Sequence, residues 1–339
     1  MHFRILCNVS GSGKTRLLLE GLCRHWGFYF VTNKSSDGLG MPDLENAITL
    51  MEESYEWVYD VSATKNPKAA SDQNERIAKR VLAKLFLARW VVFHEFLHLV
   101  VKDNQGTLPS NIRHHWLLFQ LHSTNTKPDV TPDVFGNVML QLSGATLITL
   151  KFLTDEYSRK VGTITGSSSM FYIIDEAQAA GKACMGAFLS DDGKTERPVL
   201  RPIVRYLNAM PTNIKVIVSG TGFSLQLFQK VTNSAVAKGT YHPWESVHST
   251  GNFFDRDAQL SYVARYLPPT YLNSTSGKHL QTRIQKWLRG RCVATNVLAS
   301  QLNRSLQAQV YSPVYGRGVN CSLDGQSARI PTQALQQFC

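Results

Sequence analysis

Asn8-Val9-Ser10-Gly11-Ser12-Gly13-Lys14-Thr15 is the stretch on which the fold turns. It follows a short apolar run, Phe3-Arg4-Ile5-Leu6-Cys7, and leads into a helical pattern from Arg16 to His25. Gly27 stops that pattern, and Phe28-Tyr29-Phe30-Val31-Thr32 reads as a second buried strand. Strand, glycine-bearing loop, helix and strand make a βαβ opening, and hence a parallel sheet. Gly11 and Gly13 keep the loop free of side chains, so the N–H groups of residues 11–15 can converge on phosphate oxygens. The positive end of the following helix points at the same place. Lys14 would bridge β- and γ-phosphates, and Thr15 would give its hydroxyl to Mg2+. The pattern with this chemistry, G-x-x-x-x-G-K-[ST], has glycine where this chain has Asn8. A positive φ there would suit asparagine best among the other residues. The nucleotide-binding candidates are Asn8, Gly11, Ser12, Gly13, Lys14, Thr15 and Arg16; the alternative is an ordinary Gly/Ser turn.

Met170-Phe171-Tyr172-Ile173-Ile174-Asp175 is a continuous apolar run that ends in an acid, followed by Glu176. An ionised carboxylate at the end of a buried strand needs a partner. Asp175 fits the support of a hydrated Mg2+, and Glu176 the polarising of an attacking water. The alternative for Asp175 is a helix cap. A further buried strand, 214–219, ends in Ser219-Gly220-Thr221, where Ser219 or Thr221 could place a hydroxyl between phosphate and water; an ordinary strand-ending turn reads equally well. The catalytic candidates are Lys14, Glu176 and Ser219, and the metal candidates Thr15 and Asp175. Arg197, Arg201 and Arg205 recur at helical spacing, as a solvated face or as the source of an arginine finger for a neighbouring copy. Thr126-Lys127-Pro128-Asp129 resembles a guanine-reading motif but precedes the acidic strand, so adenine is expected.

The chain has 339 residues, 43% hydrophobic and 18% charged, enough to bury a large core and inconsistent with a disordered tail. A net charge of +11 suits polyanionic partners, or no partner at all. Six scattered cysteines without a C-x-x-C pair exclude a zinc ribbon and a compact disulfide framework, and suggest a reducing, intracellular setting. No signal peptide is read at the N-terminus, and the most apolar window, 81–101, carries too many ionisable groups for a membrane span. It reads as a largely buried helix. Within it, His94-Glu95-Phe96-Leu97-His98 spells the zinc-peptidase pattern H-E-x-x-H. No third ligand follows at the required spacing, so two histidines satisfied within a core helix are expected instead. Arg76, Lys79, Arg80 and Lys84 form one basic face, with nucleic acid a weakly supported partner. Lys278, Arg283, Lys286, Arg289 and Arg291 surround Trp287 in another cluster.

Residues 43–153 are helical in pattern, with one long helix over 72–101 and breaks at 104–111 and 124–132. A polar loop is expected at 190–198, helices at 199–209 and 223–231, a weak fifth strand at 236–241, and helix again at 255–289 with a break at Pro268-Pro269. After Arg291 periodicity is poor, and Asp324 is the only acid.

The set Ser-Gly-Ser-Gly-Lys-Thr-Arg-Leu-Leu (10–18), Ile-Ile-Asp-Glu-Ala-Gln (173–178), Ser-Gly-Thr-Gly (219–222) and Trp-Leu-Arg-Gly-Arg (287–291) resembles the P-loop NTPase module of fungal Crinkler-type and retrotransposon-hot-spot-like proteins. The first two motifs are shared with many AAA+/STAND-like ATPases. The resemblance spans residues 3–291 and implies Lys14, Thr15, Asp175 and Glu176 as the nucleotide site. The family's N-terminal translocation domain and C-terminal effector domain are not found, so toxin or nuclease activity is not carried over. Leu85-Phe86-Leu87-Ala88-Arg89 echoes the family's name motif but lies mid-helix and is read as coincidence.

The expected fold is α/β: a three-layer P-loop NTPase with a parallel central sheet, a large helical insertion and a small C-terminal helical lid. Residues 1–245 form the core, with the insertion at about 43–160; 246–291 form the lid, and 292–339 an irregular tail. The expected function is Mg2+-dependent ATP binding and hydrolysis, with self-association open and no membrane contact. A nucleotide-gated switch or scaffold with little turnover is the alternative.

Overall fold

The computed structural model describes residues 2–8, 13–32, 39–121, 133–167, 169–210, 214–221, 245–247, 256–264 and 267–287. The chain divides into two compact units: Met1–Ser10 with Lys14–Thr250, and Gly11–Gly13 with Gly251–Cys339.

In the first unit, β1 (His2–Asn8), α1 (Lys14–Arg24) and β2 (Gly27–Val31) follow one another as expected. The insertion then supplies α2 (Asp43–Glu52), a 3-10 turn (Val61–Ala63), α3 (Pro67–Asp103), α4 (Ile112–Leu121), α5 (Val134–Gln141) and α6 (Leu147–Thr165). β3 (Met170–Asp175), β4 (Phe188–Leu189), β5 (Glu196–Arg197), α7 (Leu200–Asn208), β6 (Ile214–Thr221) and β7 (Glu245–Val247) complete it. The long helix expected over 72–101 starts earlier, at Pro67. Asn66 caps it by accepting from the Ala69 N–H at 3.2 Å, and Pro67 occupies a first-turn position where its missing N–H goes unused. The polar loop expected at 190–198 is instead the turn and return strand of a hairpin, Leu189 pairing with Glu196 and Phe188 with Arg197. The helix expected at 223–231 and the strand expected at 236–241 lie outside the described residues.

β2, β3, β6, β1 and β7 lie in that order in one sheet, and every pairing is parallel. β6 therefore slots between the glycine-loop strand and the acidic strand. Asn8 pairs with Thr221, and Val31 with Asp175, so these strand ends share the carboxyl edge, where ligands bind in open parallel sheets. Alternate side chains go to opposite faces. Leu6, Tyr29, Val31 and Ile173 pack with Leu18 and Leu22 of α1 and Leu117 of α4. Ile5, Phe28, Phe30, Tyr172, Ile174, Val216 and Val218 join a larger cluster with residues of α2, α3 and α7. Burial on both faces explains why β2 and β3 read as unbroken apolar runs. Gly27 is required where β2 meets β3: a Cβ there would lie 2.5 Å from the Phe171 carbonyl oxygen.

β2 ends the sheet, and its outer backbone groups are met by side chains instead of another strand. Gln120 Oε1 accepts from the Tyr29 N–H at 2.9 Å, Arg89 Nη2 donates to the Tyr29 carbonyl at 3.2 Å, and Trp116 Nε1 donates to the Gly27 carbonyl at 2.9 Å. This satisfies an edge that would otherwise invite further pairing. Arg89 is fully buried. It forms a bidentate pair with Asp43 at 2.6 and 2.7 Å, and its guanidinium lies over the Phe135 ring at 3.9 Å. The motif Leu85–Arg89, read as coincidence, thus has a structural use in its last residue.

The second unit contains α8 (Arg256–Val263), α9 (Pro269–Asn273) and α10 (Thr275–Trp287), packed around Val263, Leu267, Tyr271, Leu280 and Ile284. The expected break at Pro268-Pro269 is where α9 begins. The tail at 292–339 lies outside the described residues. Among the described residues, no helix is long and apolar enough to cross a membrane.

Candidate functional site

Thr15 and Asp175, 160 positions apart, meet at the carboxyl edge, the Thr15 hydroxyl donating to Asp175 Oδ2 at 2.8 Å. α1 delivers Thr15 from its first turn, and β3 delivers Asp175 from its last position. Asp175 is 1% exposed, and its charge is met by three donors: Thr15, the Tyr29 hydroxyl at 2.9 Å to the same oxygen, and the Glu176 N–H at 3.0 Å to Oδ1. The helix-cap alternative for Asp175 does not arise, because turns follow it and not a helix. Burial, and then the neighbouring carboxylate, push the Tyr29 hydroxyl far above the usual phenol range, so it remains a donor.

Tyr29 was not legible as a site residue: in sequence it is one more apolar strand position. Tyr29→Phe is expected to cost about 2 kcal/mol, because Asp175 loses a donor at a buried charge. In thermal unfolding this is a fall in Tm of roughly 5 °C. An unchanged Tm would mean that the hydroxyl does not support the carboxylate.

Glu176 has φ 55°, the left-handed region that non-glycine residues rarely occupy. Thr32, at the end of β2, holds it there by donating to the Glu176 carbonyl oxygen. Gln178 Nε2 donates to Glu176 Oε2, and Gln178 Oε1 accepts from the Thr221 N–H at 3.0 Å. Ser219 is fully buried, and its hydroxyl has no hydrogen-bond partner among the described residues. It pairs in register with Leu6, whose side chain lies on the α1 face, so Ser219 shares the face of Thr15 and Asp175. An orphan buried hydroxyl is rare enough to call for an explanation.

Lys14 opens α1 and is 6% exposed. Gly13 precedes it with φ 87°, a conformation that glycine alone adopts without strain. Asn8 does not turn: it is the last residue of β1, paired with Thr221. The positive φ expected at Asn8 is therefore corrected, and the described reversal into the helix is at Gly13. Arg16 points along the helix surface and pairs with Glu20 at 2.7 Å. Gly11 and Ser12 lie outside the described residues, as does Thr126-Lys127-Pro128-Asp129.

The arginine stripe is not one solvated helix face. Arg197 belongs to β5, not to the helix. Arg201 is fully buried, paired with Glu75 of α3 and with Asp191 at 2.6 Å; Arg205 also reaches Glu75, at 3.0 Å. Two carboxylates offset the cost of burying Arg201. The histidines also differ from expectation. His98 and Glu95 are exposed and His94 only half-buried, because α3 turns Phe93 and Leu97 inward at this point and the polar side chains outward. Glu95 Oε1 lies 2.9 Å from His94 Nδ1. Among the described residues no group of three or more His, Cys, Asp and Glu side chains is placed to hold a metal ion.

In the basic face of α3, Lys84 is tied to the Ser143 carbonyl at 3.1 Å; burial, and then Arg80, lower its ammonium pKa. A cleft of about 520 Å³ opens between α3, α6 and α7, lined in part by Lys79, Lys151 and Tyr206, and it shares no residue with the constellation around Asp175. Neither a family model, nor a curated protein, nor a solved structure matches the chain.

Proposed function

We propose that this chain binds Mg2+·ATP and hydrolyses it, as a three-layer P-loop module of the kind it resembles in Crinkler-type and retrotransposon-hot-spot-like proteins. The observation that carries the reading is the 2.8 Å hydrogen bond between Thr15 and Asp175. A loop-helix hydroxyl and a strand-end carboxylate side by side are the protein's half of a magnesium site whose other ligands are phosphate and water. The donor set fits that ion. Both groups offer hard oxygens, and Thr15, whose hydroxyl hydrogen is directed at Asp175, keeps lone pairs to offer. Magnesium needs few carboxylates, so the lack of an acidic cluster among the described residues is no obstacle.

When bound, magnesium would draw charge from the phosphate oxygens. Lys14, at the helix N-terminus, would balance the triphosphate, and Asp175 would hold Thr15 in place. Glu176 would orient the attacking water and take its proton. The buried Ser219 hydroxyl, without a partner among the described residues, would add a donor beside the phosphate. Adenine is preferred over guanine.

The strained backbone at Glu176 favours one other reading, since such strain also marks switch segments: a nucleotide-gated switch or scaffold with little turnover. Single-turnover hydrolysis by wild type and Glu176→Gln separates the two. For an enzyme, the variant keeps ATP affinity and loses about 100-fold or more in rate, the share of a general base. Equal, near-zero rates in both proteins would leave the switch.

A further inference from the structure

Past the end of β3 the chain turns, yet it keeps a contact with β6. The Ala177 N–H donates to the Ser219 carbonyl at 2.9 Å. At the next step the side chain of Gln178 takes over: its Oε1 accepts the Thr221 N–H, while its Nε2 donates to Glu176 Oε2. A single amide therefore spans the end of β6 and the carboxylate assigned to the water.

We propose that Gln178 is a positioning residue that couples the carboxyl end of β6 to the side chain of Glu176. The argument rests on the proposed ATP hydrolysis. A glutamate on an exposed turn samples many rotamers; one whose Oε2 is held by an amide anchored to backbone presents Oε1 in a fixed direction. The amide is suited to this in a way a carboxylate or an alkyl chain is not, because one end accepts and the other donates. A displacement of the Ser219–Thr221 segment is passed to Glu176 through two hydrogen bonds.

Three variants and two readouts test this. Gln178→Ala is expected to lower kcat about 10-fold with KM for ATP within twofold of wild type. Amide hydrogen exchange in the nucleotide-free protein should speed up at Thr221. Gln178→Glu keeps the acceptor for the Thr221 N–H but sets a second carboxylate against Glu176. Its kcat should fall at least as far as that of Gln178→Ala, because the donor to Glu176 Oε2 is lost. Gln178→Asn, one methylene short, should not restore the rate. Wild-type kcat in Gln178→Ala, a raised kcat, a loss confined to KM, or unchanged exchange at Thr221 would each overturn the coupling. Absence of ATP binding by the wild type would instead sink the ATPase reading, while exchange at Thr221 would still report whether the amide bridge exists.

Discussion

Lys14→Ala is expected to weaken Mg2+·ATP binding by about 100-fold, roughly 3 kcal/mol, with the fold intact. Lys14 is the first residue of α1, directly after the left-handed Gly13, and is nearly buried. On the proposed reading a phosphate would be the partner of this cation, so truncation should remove a charge-assisted contact at the strong end of the usual range. The measurement is a titration of a fluorescent ATP analogue, with and without Mg2+, against wild type and variant. An affinity loss only in Mg2+ would place the defect at the Thr15–Asp175 pair; a loss in both conditions would place it at the phosphates, as expected. Equal affinities in the two proteins would remove the basis for a phosphate site at residues 11–16.

Arg89→Ala should be the most destabilising single change described. Arg89 and Asp43 are both fully buried and form a bidentate pair. Removing the guanidinium leaves an unpaired carboxylate in the core, a loss of about 3–5 kcal/mol. The Tyr29 carbonyl loses a donor as well. In thermal unfolding the midpoint should fall on the order of 10 °C. Arg89→Lys should recover little, since an ammonium cannot reproduce the planar fork. A double change of Arg89→Met and Asp43→Leu should recover most of the loss, because it removes both charges together. A small loss in Arg89→Ala, with no recovery in the double variant, would show that the pair does not hold this part of the core. The effect should extend to the site: Arg89 and Gln120 fix the backbone of Tyr29, and Tyr29 holds Asp175.

Some of this was legible before any coordinates. The βαβ opening, the long helix of the insertion, the acidic strand and the strand ending in Ser219 follow from periodicity and from the stop at Gly27. Thr15 and Asp175 could be paired in thought because each sits at a chemically telling place, directly after a glycine loop and at the end of an apolar run. The errors arose where spacing alone was used as a guide to surroundings. Arg201 and Arg205 share a helix face, but spacing does not say that Glu75 and Asp191 lie opposite. His98 lies in an apolar stretch, but composition does not say which way α3 is rolled.

Local chain chemistry, then, was enough to mark most strands of the sheet and the long helices, and to single out Thr15 and Asp175 by their places in the chain, because backbone preference and apolar periodicity act over a few neighbouring positions. Tertiary structure alone decided that β6 lies between β1 and β3, that Tyr29 supports Asp175, and that Gln178 joins Glu176 to Thr221. Those contacts depend on strand order and on the burial of distant side chains against one another, and no short window of sequence contains that information.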